Sequence, residues 1–234
     1  MKYILLIAIA ILAVGCGGKD ESTTETKPVE EKVLEVKEEV KPELEGVNED
    51  ELEERKGIVY LNGSDTSYTG KIFRLDKNGK KEFETNFKQG KQDGLGITWY
   101  KDGQKERETN FKDGKLDGPI NAWYENGQKM TEGNFKNGIE DGLFSEWYED
   151  GHKKFETHFK NGKEHGSAIS WHSNGQKAYE GTHSNGKGVG LAVTWYEDGQ
   201  KKSEQNYKDG KPVDGSLKYW NSKGEPVDSL EEAE

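Results

Sequence analysis

The fold is decided by residues 123–142, which read WYENGQKMTEGNFKNGIEDG. The pairs Asn126-Gly127 and Asn137-Gly138 supply the positive φ angles that tight hairpin turns require. The aromatic and β-branched residues near these turns are strand formers. The stretch therefore predicts a strand, a tight turn at Gly127, a second strand and a looser turn at Gly138.

The same unit recurs along the chain with a period of 24 residues. Its first glycine is found at Gly70, Gly94, Gly118, Gly142, Gly166 and Gly190, with Gly215 one residue late. A slot that is mostly Trp follows, at Leu75, Trp99, Trp123, Trp147, Trp171, Trp195 and Trp220. The second strand carries an aromatic slot, at Phe87, Phe111, Phe135, Phe159, His183 and Tyr207. Because units of such an array pack only on their neighbours, we expect an all-β fold over residues 57–225, an elongated single-layer antiparallel sheet of consecutive hairpins.

The composition agrees with a thin sheet. Apolar residues make up 30% of the chain, against about 45–50% in a typical domain. Charged residues reach 34%, and 30 residues are glycine. This stock of side chains cannot fill a thick two-layer core, whereas a repetitive sheet needs only a few aromatic residues in each unit.

The net charge of −11 belongs to the ends of the chain. Residues 19–56 hold 15 acidic and 7 basic side chains, and residues 226–234 form an acidic tail. Residues 57–227 hold equal numbers of both signs. Nucleic-acid binding needs a basic stripe, and adsorption to anionic headgroups needs clustered Lys and Arg. The balance of charge weighs against both as main ligands.

A single apolar run, Ile4–Val14, precedes the only cysteine, Cys16. The run is shorter than the ~17–25 residues that span a bilayer, so residues 1–15 are predicted to be a signal peptide. It ends in LAVGC, which resembles the lipobox of bacterial lipoproteins, with Ala13 where Leu is commoner. The resemblance implies cleavage before Cys16 and lipidation of its thiol. A Gly rather than an Asp after the cysteine favours the outer membrane if the host has one.

Residues 16–56 are predicted to form the lipidated start and a disordered acidic tether. They contain no aromatic residue, and low hydrophobicity with excess charge predicts disorder. A competing helical spacing is carried by four valines, Val29, Val33, Val36 and Val40. That run is short and β-branched and stops at Pro42, so a solvated spacer is favoured over a coiled coil.

The unit in residues 123–142 resembles the MORN repeat and, more narrowly, the bacterial variant of the YwqK antitoxin family. The resemblance extends over residues 57–225, with degenerate first and last units. It implies an elongated, twisted single sheet used for binding or scaffolding, and it implies no catalysis. An antitoxin role would have to be immunity to a toxin met in the envelope, because a chain exported through Cys16 does not reach a cytosolic toxin.

Catalysis and cofactors are not expected. No nucleophile–base arrangement and no phosphate-binding glycine loop is visible. All five histidines lie within residues 152–183, and two of them, His172 and His183, occupy aromatic slots. These two are the candidates for a metal site, but zinc usually needs three or four ligands and no third is evident. We therefore interpret them as aromatic substitutions within the sheet and expect no metal.

Two rows of aromatic residues form the candidate binding face. They are Trp99, Trp123, Trp147, Trp171 and Trp195, with Tyr100, Tyr124, Tyr148 and Tyr196. The Trp row is interpreted either as core, which is favoured, or as a platform that stacks sugar rings or peptide aromatics. A two-residue turn would place the Tyr and Phe slots on one face, whereas a three-residue turn with a bulge would join Trp and Phe. The sequence leaves this register open.

These patterns together predict a membrane-anchored repeat lipoprotein that binds or scaffolds a protein partner in the bacterial envelope. The alternatives are an immunity-type antitoxin and the binding of envelope polysaccharide by the aromatic face. A recurring Glu, at Glu108, Glu132, Glu156 and Glu180, is predicted to form a ladder with Lys residues of neighbouring strands.

Overall fold

A computed structural model describes residues 46–233 of the chain. The predicted signal peptide, Cys16 and the tether up to residue 45 lie outside the described residues. Within residues 46–233 the chain is almost entirely strand and turn, with one short 3-10 helix at Glu49–Glu51 and one helical turn, α1, at Leu230–Ala233.

Nineteen strands follow one another along the described chain. They are β1 (Val47–Asn48), β2 (Leu52–Arg55), β3 (Ile58–Leu61), β4 (Gly70–Leu75), β5 (Lys81–Lys88), β6 (Lys91–Trp99), β7 (Lys105–Lys112), β8 (Lys115–Trp123), β9 (Lys129–Lys136), β10 (Ile139–Glu140), β11 (Gly142–Trp147), β12 (Lys153–Lys160), β13 (Lys163–Trp171), β14 (Lys177–Ser184), β15 (Lys187–Trp195), β16 (Lys201–Lys208), β17 (Lys211–Pro212), β18 (Lys218–Trp220) and β19 (Pro226–Val227).

Strands β4 to β19 form consecutive antiparallel hairpins in a single sheet. Strands β10 and β11 together occupy the place of one strand beside β9, as β17 and β18 do beside β16. Strand β1 extends the sheet by pairing in parallel with β4, and β2 and β3 form a separate hairpin. The predicted fold class, a single-layer antiparallel sheet of hairpin repeats, is confirmed.

The two turns of each repeat have exchanged the roles predicted for them. At Gly127 the loop has three residues: the Gly127 amide donates to the Tyr124 carbonyl at 2.9 Å, and the Tyr124 amide to the Gln128 carbonyl at 2.8 Å. The tight two-residue turn is instead of the Asp113-Gly114 type, with φ angles of 50° and 79°. A two-residue turn matched to the twist of the sheet needs positive φ at both central positions, which Asp and Asn tolerate better than other side chains.

A bulge after each Trp decides the register that the sequence left open. Ala122 pairs with Thr131, but Trp123 pairs with Lys129, so Met130 is an extra residue on its strand. The bulge cancels the effect of the three-residue loop. Since side chains alternate along a strand, Trp and Phe lie on opposite faces of the sheet. The expectation that a three-residue turn with a bulge would join Trp and Phe is therefore wrong. We call them the Trp face and the Phe face, after the Trp slot and the slot that runs from Phe87 to Tyr207.

Burial is concentrated on the Phe face. Most of its buried side chains lie in one row that crosses the strands, which includes Ile72, Thr85, Thr109, Thr157 and Ala168. Phe144 and Phe159 pack edge to face over this row, with ring centroids 6.0 Å apart. Few side chains are fully buried because a single layer covers each face only with its own side chains.

Residues 46–56 correct the predicted tether, since they are part of the fold. Strand β1 pairs with β4, and Leu52 of β2 lies near Ile72 and Phe87 on the Phe face. The prediction failed because it rested on the high average charge of this segment and not on the positions of its few apolar residues. The predicted acidic tail is likewise structured up to residue 233: β19 pairs with β18, and Ala233 of α1 is buried.

Candidate binding faces

The Trp face carries a ladder of lysine–glutamate pairs. The short pairs are Lys81–Glu84 at 2.6 Å, Lys105–Glu108 at 2.5 Å, Lys129–Glu132 at 2.8 Å, Lys177–Glu180 at 2.8 Å and Lys201–Glu204 at 2.9 Å, with Lys153–Glu156 closer still. The predicted partners on neighbouring strands are wrong for these contacts, since each lysine precedes its glutamate by three residues. The bulge places such residues on one face.

The same lysines lie over the indole rings of the Trp row. Lys153 Nζ is 5.6 Å from the ring centroid of Trp147 and 5.9 Å from that of Trp171. Lys177 lies 5.3 Å from Trp195. The indole rings are half-buried and are linked from repeat to repeat by cation–π contacts. The Trp row thus stabilises the array internally and still presents part of each ring to solvent.

The hydrogen bonds of the ladder lower the pKa of two carboxyl groups. The ammonium of Lys153 lowers the pKa of Glu156, and those of Lys218 and Lys201 lower the pKa of Glu204. A carboxyl whose pKa is lower in the folded chain stabilises the fold above its unfolded pKa, and this contribution is lost as the pH falls through the folded value.

We therefore expect the resistance of the array to urea to fall as the pH drops below the ordinary pKa of glutamate. Glu204→Gln should be less stable than the parent at pH 7 and should lose less on acidification. Urea midpoints measured from pH 7 to pH 3 for both proteins check this. Parallel acid limbs in the two proteins would show that Glu204 has no part in the dependence.

The Tyr row couples successive repeats. Each hydroxyl donates to the carbonyl of the Trp in the next repeat: Tyr100 to Trp123 at 2.5 Å, Tyr124 to Trp147 at 2.7 Å, Tyr148 to Trp171 at 2.8 Å and Tyr196 to Trp220 at 2.9 Å. His172 keeps the bond through Nε2, 2.9 Å from the Trp195 carbonyl oxygen. Burial raises the pKa of Tyr100. The hydroxyls of the Tyr row, which was predicted to be part of the binding face, therefore form hydrogen bonds within the array.

Tyr124→Phe should lower the free energy of unfolding by about 1 kcal/mol, since the partly buried Trp147 carbonyl loses its donor. His172→Tyr should be neutral or stabilising because a phenol keeps the same bond. Urea unfolding gives both values. Tyr60→Phe is the matched control, since no hydrogen bond of its hydroxyl is found within residues 46–233. An equal loss of stability in the control would contradict the stabilising role of the Tyr–carbonyl hydrogen bonds.

The histidines have separate partners. His172 contacts the Trp195 carbonyl, whereas His183 Nε2 lies 3.5 Å from a carboxylate oxygen of Glu164 on the Phe face. Nδ1 of His183 is buried and has no hydrogen-bond partner in the described part of the chain. Within residues 46–233 no three His, Cys, Asp or Glu side chains are grouped as metal ligands. His172 and His183 thus keep the structural places that their slots predicted.

The Phe face contains hollows that the sequence reasoning missed. One position of the buried row, two residues after each repeat glycine, is called the row slot. It holds, in order, Ile72, Gly96, Ile120, Phe144, Ala168 and Ala192. Hollows of about 240 Å³ and about 210 Å³ open where this slot holds Gly96 and Ala192. The bulky side chains of Ile120 and Phe144 fill the same place in their own repeats. The signal was present in the sequence as a change of residue size at one repeat position.

Together the single sheet and its repeated couplings define a repeat protein built of stacked β-hairpins. The family model of the MORN repeat variant matches residues 92–113, 116–137, 140–161, 164–185 and 189–209. The chain therefore contains five MORN-variant repeats, which confirms the coarser part of the predicted resemblance. No curated protein matches the chain. In the described part of the chain, no helix has the length and apolar character needed to cross a bilayer.

Proposed function

We propose that this chain is a membrane-anchored repeat lipoprotein of the bacterial envelope whose array binds a partner protein. MORN repeats are consistent with binding partners or membranes. The anchor is the lipidated Cys16 that the LAVGC motif predicts, in the outer membrane if the host has one. The expected partner is not nucleic acid, because the array has no net charge.

One observation supports the binding role: within residues 46–233, the chain itself covers the Phe face only at its first repeat. There the β2–β3 hairpin approaches Ile72 and Phe87. Farther along, Phe111, Phe135 and Phe159 remain half-buried, with no second layer over them in the described chain. A sheet face that carries regularly spaced apolar rings is typically buried against another element. A partner protein would supply that element.

Two variants test the proposal in intact cells. A photo-crosslinking phenylalanine analogue at position 111 or 135 should yield a discrete protein adduct. The same analogue at position 123, on the Trp face, is the matched control and should not yield that adduct. Cys16→Ser should abolish labelling by a fatty-acid probe and release the protein from the membrane fraction. Absence of any adduct from the Phe face would contradict protein binding.

Envelope polysaccharide remains a second candidate for one reason. The half-buried indoles of the Trp face have the spacing of adjacent repeats and keep part of each ring open for stacking on sugars. Retention of the protein by a purified cell-wall fraction, lost in Trp123→Ala but kept in Phe135→Ala, would favour this ligand.

The immunity-type antitoxin role rests on the family resemblance, and an increase in toxin sensitivity on deletion of the gene would support it.

A further inference from the structure

The first repeat shows how a segment occupies the Phe face. Leu52 and Val59 of the β2–β3 hairpin share a hollow with Ile72, Phe83 and Phe87 of the sheet. The segment is acidic, and Glu49 pairs with the guanidinium of Arg74 at 3.4 Å. The chain therefore covers its own first repeat with a segment in which Leu52 of β2 supplies an apolar side chain and Glu49 of the preceding 3-10 helix supplies a carboxylate.

The open hollow at Gly96 is the same place one repeat later. A shift of 24 residues converts Phe87 into Phe111, Gln92 into Leu116, Ile72 into Gly96 and Phe83 into Arg107. These four residues line the hollow together with Phe83, Thr98 and Thr109. The isoleucine side chain that occupies this place in the first repeat is missing, so room for a larger apolar side chain is left.

Within residues 46–233, two polar groups at this hollow make neither a hydrogen bond nor an ion pair. The Arg107 side chain is exposed and has no ion pair in this part of the chain, whereas Arg74, which holds the place of Thr98 in the first repeat, has two. The hydroxyl of Thr98 is buried and has no hydrogen-bond partner among the described residues. Buried polar groups in native structures nearly always have partners. A ligand with an oxygen acceptor beside an apolar group would satisfy both.

We propose that the hollow formed by Phe83, Gly96, Arg107, Phe111 and Leu116 binds an acidic β-strand segment of a partner protein, in the manner of the chain's own β2. A bulky apolar side chain of the partner enters the space above Gly96, and a neighbouring carboxylate pairs with Arg107. This inference rests on the proposed protein-binding function and specifies its site. A single guanidinium in an otherwise apolar hollow fits one carboxylate of a strand better than a polyanion or a membrane surface, which need clustered cations.

The probe is a synthetic peptide with the sequence of residues 46–62, and its twin carries Lys in place of Glu49, Glu53 and Glu54. Fluorescence anisotropy measures the binding of each labelled peptide to the full-length protein. The acidic peptide should bind at least about tenfold more tightly than its twin, since an interfacial charge pair of this kind governs specificity. Arg107→Glu should reverse that preference.

Gly96→Ile is the second variant. Ile72 and Ile120 occupy the equivalent slot, so the fold should tolerate it, as an unchanged circular dichroism spectrum would show. It should weaken the binding of the acidic peptide by about tenfold or more, because the isoleucine side chain fills the hollow. Lys112→Glu is the control, a charge reversal at the end of β7 whose side chain lies on the opposite face from Phe111, and it should leave the binding of both peptides unchanged.

Equal binding of the two peptides, or binding that survives both Gly96→Ile and Arg107→Glu, would overturn the assignment. So would a failure of the acidic peptide to bind. If the Phe face still yields a protein adduct in cells under these outcomes, protein binding stands and only this site is wrong. If the adduct is absent as well, the proposed function fails with it.

Discussion

Gly90→Ala is expected to lower the free energy of unfolding by about 3–5 kcal/mol, whereas Gly114→Ala should cost only about 1–2 kcal/mol. The two glycines hold the same place in two successive tight turns, with φ angles of 75° and 79°. Both substitutions therefore carry the same penalty for a side chain at positive φ. The difference between them comes from what lies above the turn.

A Cβ at Gly90 would meet the Ile58 side chain at less than contact distance and would lie 2.9 Å from the backbone nitrogen of Val59. The same atom at Gly114 meets only the Lys91 side chain, at 3.8 Å. The Val59 amide also donates to the Gly90 carbonyl at 2.9 Å. Gly90→Ala must therefore displace the β2–β3 hairpin from the end of the sheet.

Urea unfolding gives the two free energies, and hydrogen exchange locates the damage. Amides of residues 52–61 should lose protection in Gly90→Ala and keep it in Gly114→Ala. Equal losses of stability in the two variants, with protection unchanged in β2 and β3, would mean that the hairpin does not rest on this turn. In that case the first repeat could not serve as the template for the occupied Phe face.

The repeat and its strands were predictable because period, turn residues and strand formers all point to the same unit. What escaped prediction depends on single residues in three dimensions. The order of the two turns and the bulge at Met130 together set the faces, and a shift of one residue reverses them. The sequence therefore predicted the Trp, Tyr and Phe rows but could not say which rows share a face.

The ends of the array escaped prediction for a different reason. Average composition identified residues 46–56 as a charged spacer, although two apolar residues, Val47 and Leu52, suffice to attach them to an existing sheet. The candidate site shows a similar effect. The Trp and Tyr rows are conspicuous in sequence, yet they contact their own neighbours. The open hollow of the Phe face depends on the absence of a side chain at Gly96; the sequence shows the small residue, but only the structure shows that a hollow opens there.

Gly133→Val is expected to destabilise the array by about 3 kcal/mol, at the upper end of what overpacking costs. Gly133 lies in the buried row of the Phe face between Ile120 and Phe144, two bulky members of the row slot. A Cβ at Gly133 would lie 2.7 Å from Cδ2 of the Phe144 ring and 3.5 Å from Ile120. The ring has little room to retreat, because Phe159 packs against it edge to face.

At this point of the row, the missing side chain of Gly133 leaves room for the ring of Phe144. Phe144→Ala alone should cost about 3–4 kcal/mol through the cavity that it leaves. Combined with Gly133→Val, it should cost clearly less than the sum of the two single changes, because valine grows into the space that the ring vacates. A double-mutant cycle by urea unfolding measures this coupling, which we expect to exceed about 1 kcal/mol.

The same change at Gly96 provides the matched comparison. Its neighbours in the row, Thr85 and Thr109, are small; a Cβ there would lie 3.0 Å from Oγ1 of Thr85 and 3.2 Å from Cε2 of Phe111. Gly96→Val should therefore lower the free energy of unfolding by about 1 kcal/mol or less, although it too replaces a glycine of this row by valine. Additive costs for Gly133→Val and Phe144→Ala, or an equal cost at Gly96, would contradict this packing. They would also remove the reason why the Phe face is filled at Phe144 and open at Gly96.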